Sequence, residues 1–110
     1  MDYLEHSKLL AAELEKRFGE KIDSILVFGS VARGKANKKS DIDLFIIGDR
    51  DIKNEVSKIR TEMDLKHGTL TTIVFKTKKE FEEQHQNSDF LKEIWETGVA
   101  LYGTENIARA

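Results

Sequence analysis

The sequence predicts a single α/β domain over residues 1–110, a small mixed β-sheet with helices packed mainly on one face. Three observations lead there. Apolar residues at helical spacing alternate with short β-rich runs, in the order helix, strand, strand, helix, strand, helix, helix, short strand. The 110 residues carry 39% hydrophobic side chains, enough for one modest core. The first two strands are separated by more residues than a tight hairpin uses, while a helix separates the second from the third.

Each element has a local cause. Tyr3 to Phe18 reads as an amphipathic helix: Leu10, Leu14 and Phe18 recur at spacing four, Ser7 and Ala11 lie nearby, and Gly19 supplies the stop. Ser24 to Phe28 is a short apolar strand. Gly29-Ser30 turns sharply out of it, and Val31-Ala32 can start a short helix. Arg33 to Lys39 is polar and aperiodic, a loop, and Asp41 to Ile47 is the second strand, closed by Gly48-Asp49. Ile52, Val56, Ile59 and Met63 mark one face of a helix from Asp51 to Lys66, with Gly68 as its stop. The β-branched run Thr69 to Lys76 is a third strand. Thr77-Lys78-Lys79-Glu80 has capping-box spacing, so a helix should run through Phe81 to Gln86. Asn87-Ser88 caps a last helix bearing Phe90, Leu91, Ile94 and Trp95, ended by Gly98, and Val99 to Tyr102 forms a final short strand.

Composition removes several classes of function. There is no cysteine, which excludes disulfides, zinc–thiolate sites and thiol nucleophiles. No apolar run reaches the ~20 residues that cross a bilayer, and the N-terminus lacks the pattern of a signal peptide, so a cytoplasmic location without membrane contact is expected. The formal charge of −2, from 18 basic and 20 acidic residues, gives no general attraction to nucleic acid. Nor are aromatic and basic residues interleaved as a single-strand platform requires.

The distribution of charge is more telling than its sum. After the apolar run Ile25-Leu26-Val27-Phe28 comes Gly29-Ser30; ten residues later Asp41-Ile42-Asp43 opens the next strand. Alternate strand residues share a face, so Asp41 and Asp43 project together and repel unless a cation lies between them. Mg²⁺ is commonly held by such carboxylates with substrate phosphates. Arg33, Lys35, Lys38 and Lys39 add a positive rim directly before the pair, which suits a polyphosphate. The segment reads as a metal-dependent nucleotide site. Gly29-x-x-x-x-Gly34-Lys35 also overlaps the P-loop pattern, but Ala36 stands where that motif needs Ser or Thr.

Gly29-Ser30, Ala32-Arg33-Gly34 and Asp41-Ile42-Asp43, at these spacings, resemble the signature of the polymerase β-like nucleotidyltransferase superfamily, in particular its minimal nucleotidyltransferase branch. The resemblance implies that Gly29 and Ser30 hold the terminal phosphates of ATP or another NTP, with Arg33 adding charge. It implies that Asp41 and Asp43 are the catalytic ligands of two Mg²⁺ ions, for transfer of NMP to a hydroxyl acceptor. It further implies an antitoxin whose partner is a helical HEPN toxin; a homo-oligomer is compatible with it. The pattern is incomplete in one place. The family's third carboxylate belongs on the third strand, where Thr69-Leu70-Thr71-Thr72-Ile73-Val74-Phe75 has no acid. Thr72, or else Thr71, takes its place, and Asp64 is expected to face solvent from the preceding helix. Two alternatives therefore stand beside the enzyme: a nucleotide-binding antitoxin without turnover, and a small-molecule (antibiotic) nucleotidyltransferase. His6 and His85 are expected on polar helix surfaces, with His67 beside the Gly68 stop. Trp95, Phe90, Leu91 and Ile94 are core or, in part, partner surface.

Overall fold

The computed structural model describes residues 2–34 and 41–103. Helix α1 spans Tyr3–Phe18; the Asp2 side chain caps it by accepting from the Leu4 amide at 2.9 Å. Strand β1 (Ile22–Phe28) starts earlier than the expected Ser24 and runs straight into a single helical turn, α2 (Gly29–Ala32). Strand β2 is Ile42–Gly48, helix α3 is Lys53–His67, and strand β3 is Thr71–Lys76. Helix α4 (Lys78–Gln84) carries the expected capping box: the Glu80 amide donates to Thr77 Oγ1 at 3.1 Å, and the Thr77 amide to Glu80 Oε1 at 2.9 Å. A 3-10 turn, His85–Asn87, replaces the end of that helix. Helix α5 is Asp89–Thr97, capped by Ser88, and β4 is Val99–Tyr102.

The strands form one sheet in the order β3-β2-β1-β4. β1 is antiparallel to β2 and β4, whereas β2 and β3 are parallel, so the sheet is mixed as expected. Successive strand residues point to opposite faces. Ile25, Val27, Ile42, Leu44 and Ile46 point to one face and pack under α1 and α3, with Leu10, Leu14, Val56 and Ile59. Leu26, Phe45 and Ile47 point to the other, where Phe81 of α4 and Leu91, Ile94 and Trp95 of α5 cover them. The two long helices thus share one face, and the shorter pair adds a second layer. The cause is the unbroken run Leu44-Phe45-Ile46-Ile47, every residue of it fully buried. A strand apolar on both sides must be covered on both. Phe81 anchors the second layer, its ring centroid 5.9 Å from Phe45 and 4.9 Å from Trp95. Burying such a side chain contributes about 1.5–3 kcal/mol.

Two side chains are not where sequence reading put them. His6 is fully buried instead of lying on a polar surface, and Asp64, expected in solvent, is 8% exposed. Both lie where α1 and α3 pack on the start of β3, and each makes the other's burial tolerable by hydrogen bonding. His85 is half-buried, stacked on Phe81 at 4.8 Å. Among the described residues no helix is long and apolar enough to cross a membrane.

Candidate active site

The exit of β1 and the entrances of β2 and β3 lie side by side at one end of the sheet. Because β1 and β2 are antiparallel, the exit of one lies beside the entrance of the other, and Phe28 pairs with Asp43. Because β2 and β3 are parallel, both enter at that same end, and Asp43 pairs with Thr72. Topology therefore gathers the Gly29-Ser30 elbow, the acidic pair and Thr72. Asp43 lies on the face of β2 shared by Phe45 and Ile47. Its carboxylate rests against Gly29: a Cβ built there would sit 2.5 Å from Asp43 Oδ2, and Gly29 has φ +72°. Glycine is thus required twice, for the left-handed backbone and for the space. Ser30 follows within α2, whose leading amides have no acceptor inside so short a helix; the turn is closed by the Arg33 amide donating to Gly29 O at 3.2 Å.

Asp43 is half-buried, and its carboxyl is pushed above the usual range, first by burial and then by the charge of Asp41. Asp41 is exposed and stands just before β2 rather than within it. Among the described residues neither carboxylate has an ion-pair partner. A half-buried acid raised by a like charge is relieved by a divalent cation, and hard oxygen donors suit Mg²⁺. The donor chemistry fits that ion. No third His, Asp or Glu joins the pair among the described residues. Thr72, exposed, stands next to Asp43, while Thr71 is buried on the opposite face; of the two threonines that the sequence left open, Thr72 is the one beside Asp43.

Arg33 is exposed and, with Phe28, Gly29, Phe90 and Glu93, lines a cleft of about 200 Å³ between the elbow and α5. Phe90, 51% exposed, packs edge-on to Phe28 at 5.9 Å. Phe90 and Glu93 were not singled out as site residues; the signal was that Phe90 falls outside the buried stripe of Leu91, Ile94 and Trp95 on α5. The expected rim residues Lys35, Lys38 and Lys39 lie outside the described residues.

Behind the site, on the other face of the sheet, lies a buried polar cluster. Asp64 Oδ1 accepts from the hydroxyls of Thr69 (2.6 Å) and Thr71 (2.7 Å), and Oδ2 from the Thr71 amide (2.8 Å). His6 Nε2 lies 3.2 Å from Oδ1. Each threonine has only one hydroxyl proton, already given to Asp64, so Nε2 must be a donor and carry hydrogen. In a neutral ring, His6 Nδ1, 2.8 Å from His67 Nδ1, then accepts from it. Burial, opposed by the Asp64 charge, holds the His6 imidazole below its usual range, in keeping with a neutral ring.

The nucleotidyltransferase domain family matches residues 7–102 of this chain, from α1 to β4. A Methanocaldococcus jannaschii protein described, by inference, as a protein adenylyltransferase is 33% identical over 89 residues, covering 81% of this chain and 87% of the relative. A crystal structure of a toxin–antitoxin with AMP-PNP superimposes with TM-score 0.59 at 17% identity, over 89% of this chain and 74% of that one. The tri-AMPylated Shewanella oneidensis HEPN toxin in complex with MNT antitoxin gives TM-score 0.57 at 18% identity, over 96% and 75%. At such identities the two structures speak for the fold.

Proposed function

The chain belongs to the nucleotidyltransferase domain family, and from that premise we propose that it transfers AMP from ATP to a hydroxyl of a helical HEPN-type partner, as the antitoxin of a cytoplasmic toxin–antitoxin pair. The inferred protein adenylyltransferase supports the transferred group, and the toxin–antitoxin neighbours support the partner. The observation that carries the reading is the apposition of Gly29 and Asp43, with no room for a Cβ between them. A carboxylate held directly against a glycine turn supports reading the two as a metal ligand facing phosphate oxygens.

In this reading Asp41 and Asp43 hold Mg²⁺, Gly29 and Ser30 receive the terminal phosphates, and Arg33 offsets their charge from the cleft. When bound, Mg²⁺ supplies neutralisation of the triphosphate and lowers the pKa of the attacking hydroxyl. The acceptor oxygen bonds to the α-phosphorus, the α–β bridging bond breaks, pyrophosphate leaves, and the hydroxyl proton passes to solvent. The absence of a carboxylate at Thr72 favours one second reading, an antitoxin that binds nucleotide without turnover, because a hydroxyl cannot serve as base. Incubating chain and partner with Mg²⁺ and ATP, then measuring pyrophosphate release and the partner's intact mass, separates the two. Asp41→Asn with Asp43→Asn should abolish Mg²⁺-dependent ATP binding while preserving the circular dichroism of the fold. Unchanged Mg²⁺–ATP affinity in that double variant would refute the site.

A further inference from the structure

The polar cluster behind the sheet is arranged around the backbone of one residue. β3 is an edge strand, and Thr71 opens it. Its neighbour Leu70 faces β2, its carbonyl accepting from the Ile42 amide at 2.9 Å. Backbone groups alternate in direction along a strand, so those of Thr71 point away from β2, to the open edge. Helix α3 takes both of them: Asp64 Oδ2 accepts from the Thr71 amide, and Arg60 Nη1 donates to the Thr71 carbonyl at 3.2 Å. Asp64 also takes the Thr69 and Thr71 hydroxyls, and His6 from α1 holds Asp64 in turn. Side chains of α3 thus stand in for a missing neighbouring strand. The next residue, Thr72, points to the opposite face, beside Asp43.

We propose that His6, Asp64 and Arg60 are positioning residues for nucleotidyl transfer: they fix the start of β3, and through it the wall of the site formed by Thr72 beside Asp43. The proposal rests on the reading of Asp43 as part of the nucleotide site. All three gather around Thr71, on the face of the sheet opposite Asp43, and so act through one residue of backbone. A displacement of about 1 Å at a reacting site can cost 10²-fold in rate, so a slack β3 start is expected to show in turnover as well as in stability.

The test uses the full chain with Mn²⁺ as probe for Mg²⁺. Four variants are compared with the wild type: Asp64→Asn, which turns an amide donor toward groups that themselves donate; His6→Leu; His6→Gln, which keeps a donor near the place of Nε2; and Leu14→Ala. Leu14 is fully buried on the same face but has no bond to β3, so its variant controls for lost stability alone. Three quantities are measured: amide hydrogen exchange at Thr71 and Thr72, the dissociation constant of Mn²⁺–ATP, and kcat with KM for transfer. Asp64→Asn and His6→Leu should exchange about tenfold faster at those amides, bind Mn²⁺–ATP several-fold more weakly and lose about tenfold in kcat, with His6→Gln near wild type and Leu14→Ala within about twofold in affinity. If Asp64→Asn does not fold, the His6→Leu and His6→Gln pair decides. Affinities within twofold of wild type in Asp64→Asn and His6→Leu overturn the proposal, as does a Leu14→Ala variant that matches them. A wild type that binds Mn²⁺–ATP but transfers nothing refutes the transfer reaction instead, and exchange and affinity then decide the positioning role.

Discussion

Replacing Thr72 with aspartate tests the geometry of the site most directly. Thr72 and Asp43 are register partners on adjacent parallel strands, so the new carboxylate would stand about 5 Å from that of Asp43. At that separation two like charges repel by about 1 kcal/mol in a largely solvated setting. Thr72 is exposed, so no packing term is added. For a domain of this size, 1 kcal/mol lowers Tm by about 4–8 °C. The variant should therefore melt earlier than wild type in EDTA. With Mg²⁺ the sign should invert, because a third oxygen ligand converts the repulsion into chelation. A gain of about 1.4 kcal/mol corresponds to a tenfold tighter Mg²⁺–ATP complex. Differential scanning calorimetry with and without Mg²⁺, together with titration calorimetry, reads both effects. An unchanged melting point in EDTA with unchanged Mg²⁺–ATP affinity would show that Thr72 does not border the metal position.

Two further perturbations address the elbow and the buried histidine. Gly29→Ala meets a left-handed backbone cost of about 1–2 kcal/mol and drives a methyl into Asp43 Oδ2, so transfer should fall by about 10²-fold. Gly34→Ala shares the positive φ but has nothing within 4 Å of its Cβ among the described residues, and should cost stability alone; equal activity losses in the two would refute the Gly29–Asp43 apposition. For His6, the folded pKa lies below the unfolded 6.5, so the unfolded chain gains the proton first as pH falls. The stability tied to the neutral ring is complete above about pH 6.5 and is lost as pH drops through that value toward the folded pKa. Urea unfolding at pH 7.5 and 5.5 should show a larger loss for wild type than for His6→Gln. Equal losses would mean that the ring flanked by Asp64 and His67 is already protonated in the fold.

Local chemistry made most of this fold legible. The capping box at Thr77 and Glu80, the Ser88 cap and the apolar stripe of α1 depend on residues within a few positions of each other, and each formed as read. The bend at Gly29-Ser30 was legible for the same reason, and Asp43 lies at the head of β2 as read, with Asp41 just outside that strand. The second helical layer follows from β2 itself: a strand apolar at every position from Leu44 to Ile47 cannot have a bare face. The buried cluster was harder, because it joins α1, α3 and β3. Still, the spacing-four series Leu10, Leu14, Phe18 extends backward onto His6, and Val56, Arg60 and Asp64 continue the inner face of α3 by the same interval. A polar residue on an apolar stripe marks a partner elsewhere in the chain; which partner depends on tertiary packing. The place of Thr72 likewise needed the β2–β3 register, since sequence alone left Thr71 and Thr72 open.

The mixed strand directions also bear on the order of assembly. β1 and β2 pair across a short stretch of chain, whereas β3 reaches β2 only after α3 has carried the chain back to the same end. Contacts between nearby segments close with less loss of chain entropy than distant ones. As the polypeptide emerges during synthesis, the bend after β1 and its facing aspartate can come together early, while the remaining wall must wait for the crossover to dock. A nascent chain halted after β2 would hold the bend and the aspartates and lack the wall that β3 adds beside Asp43.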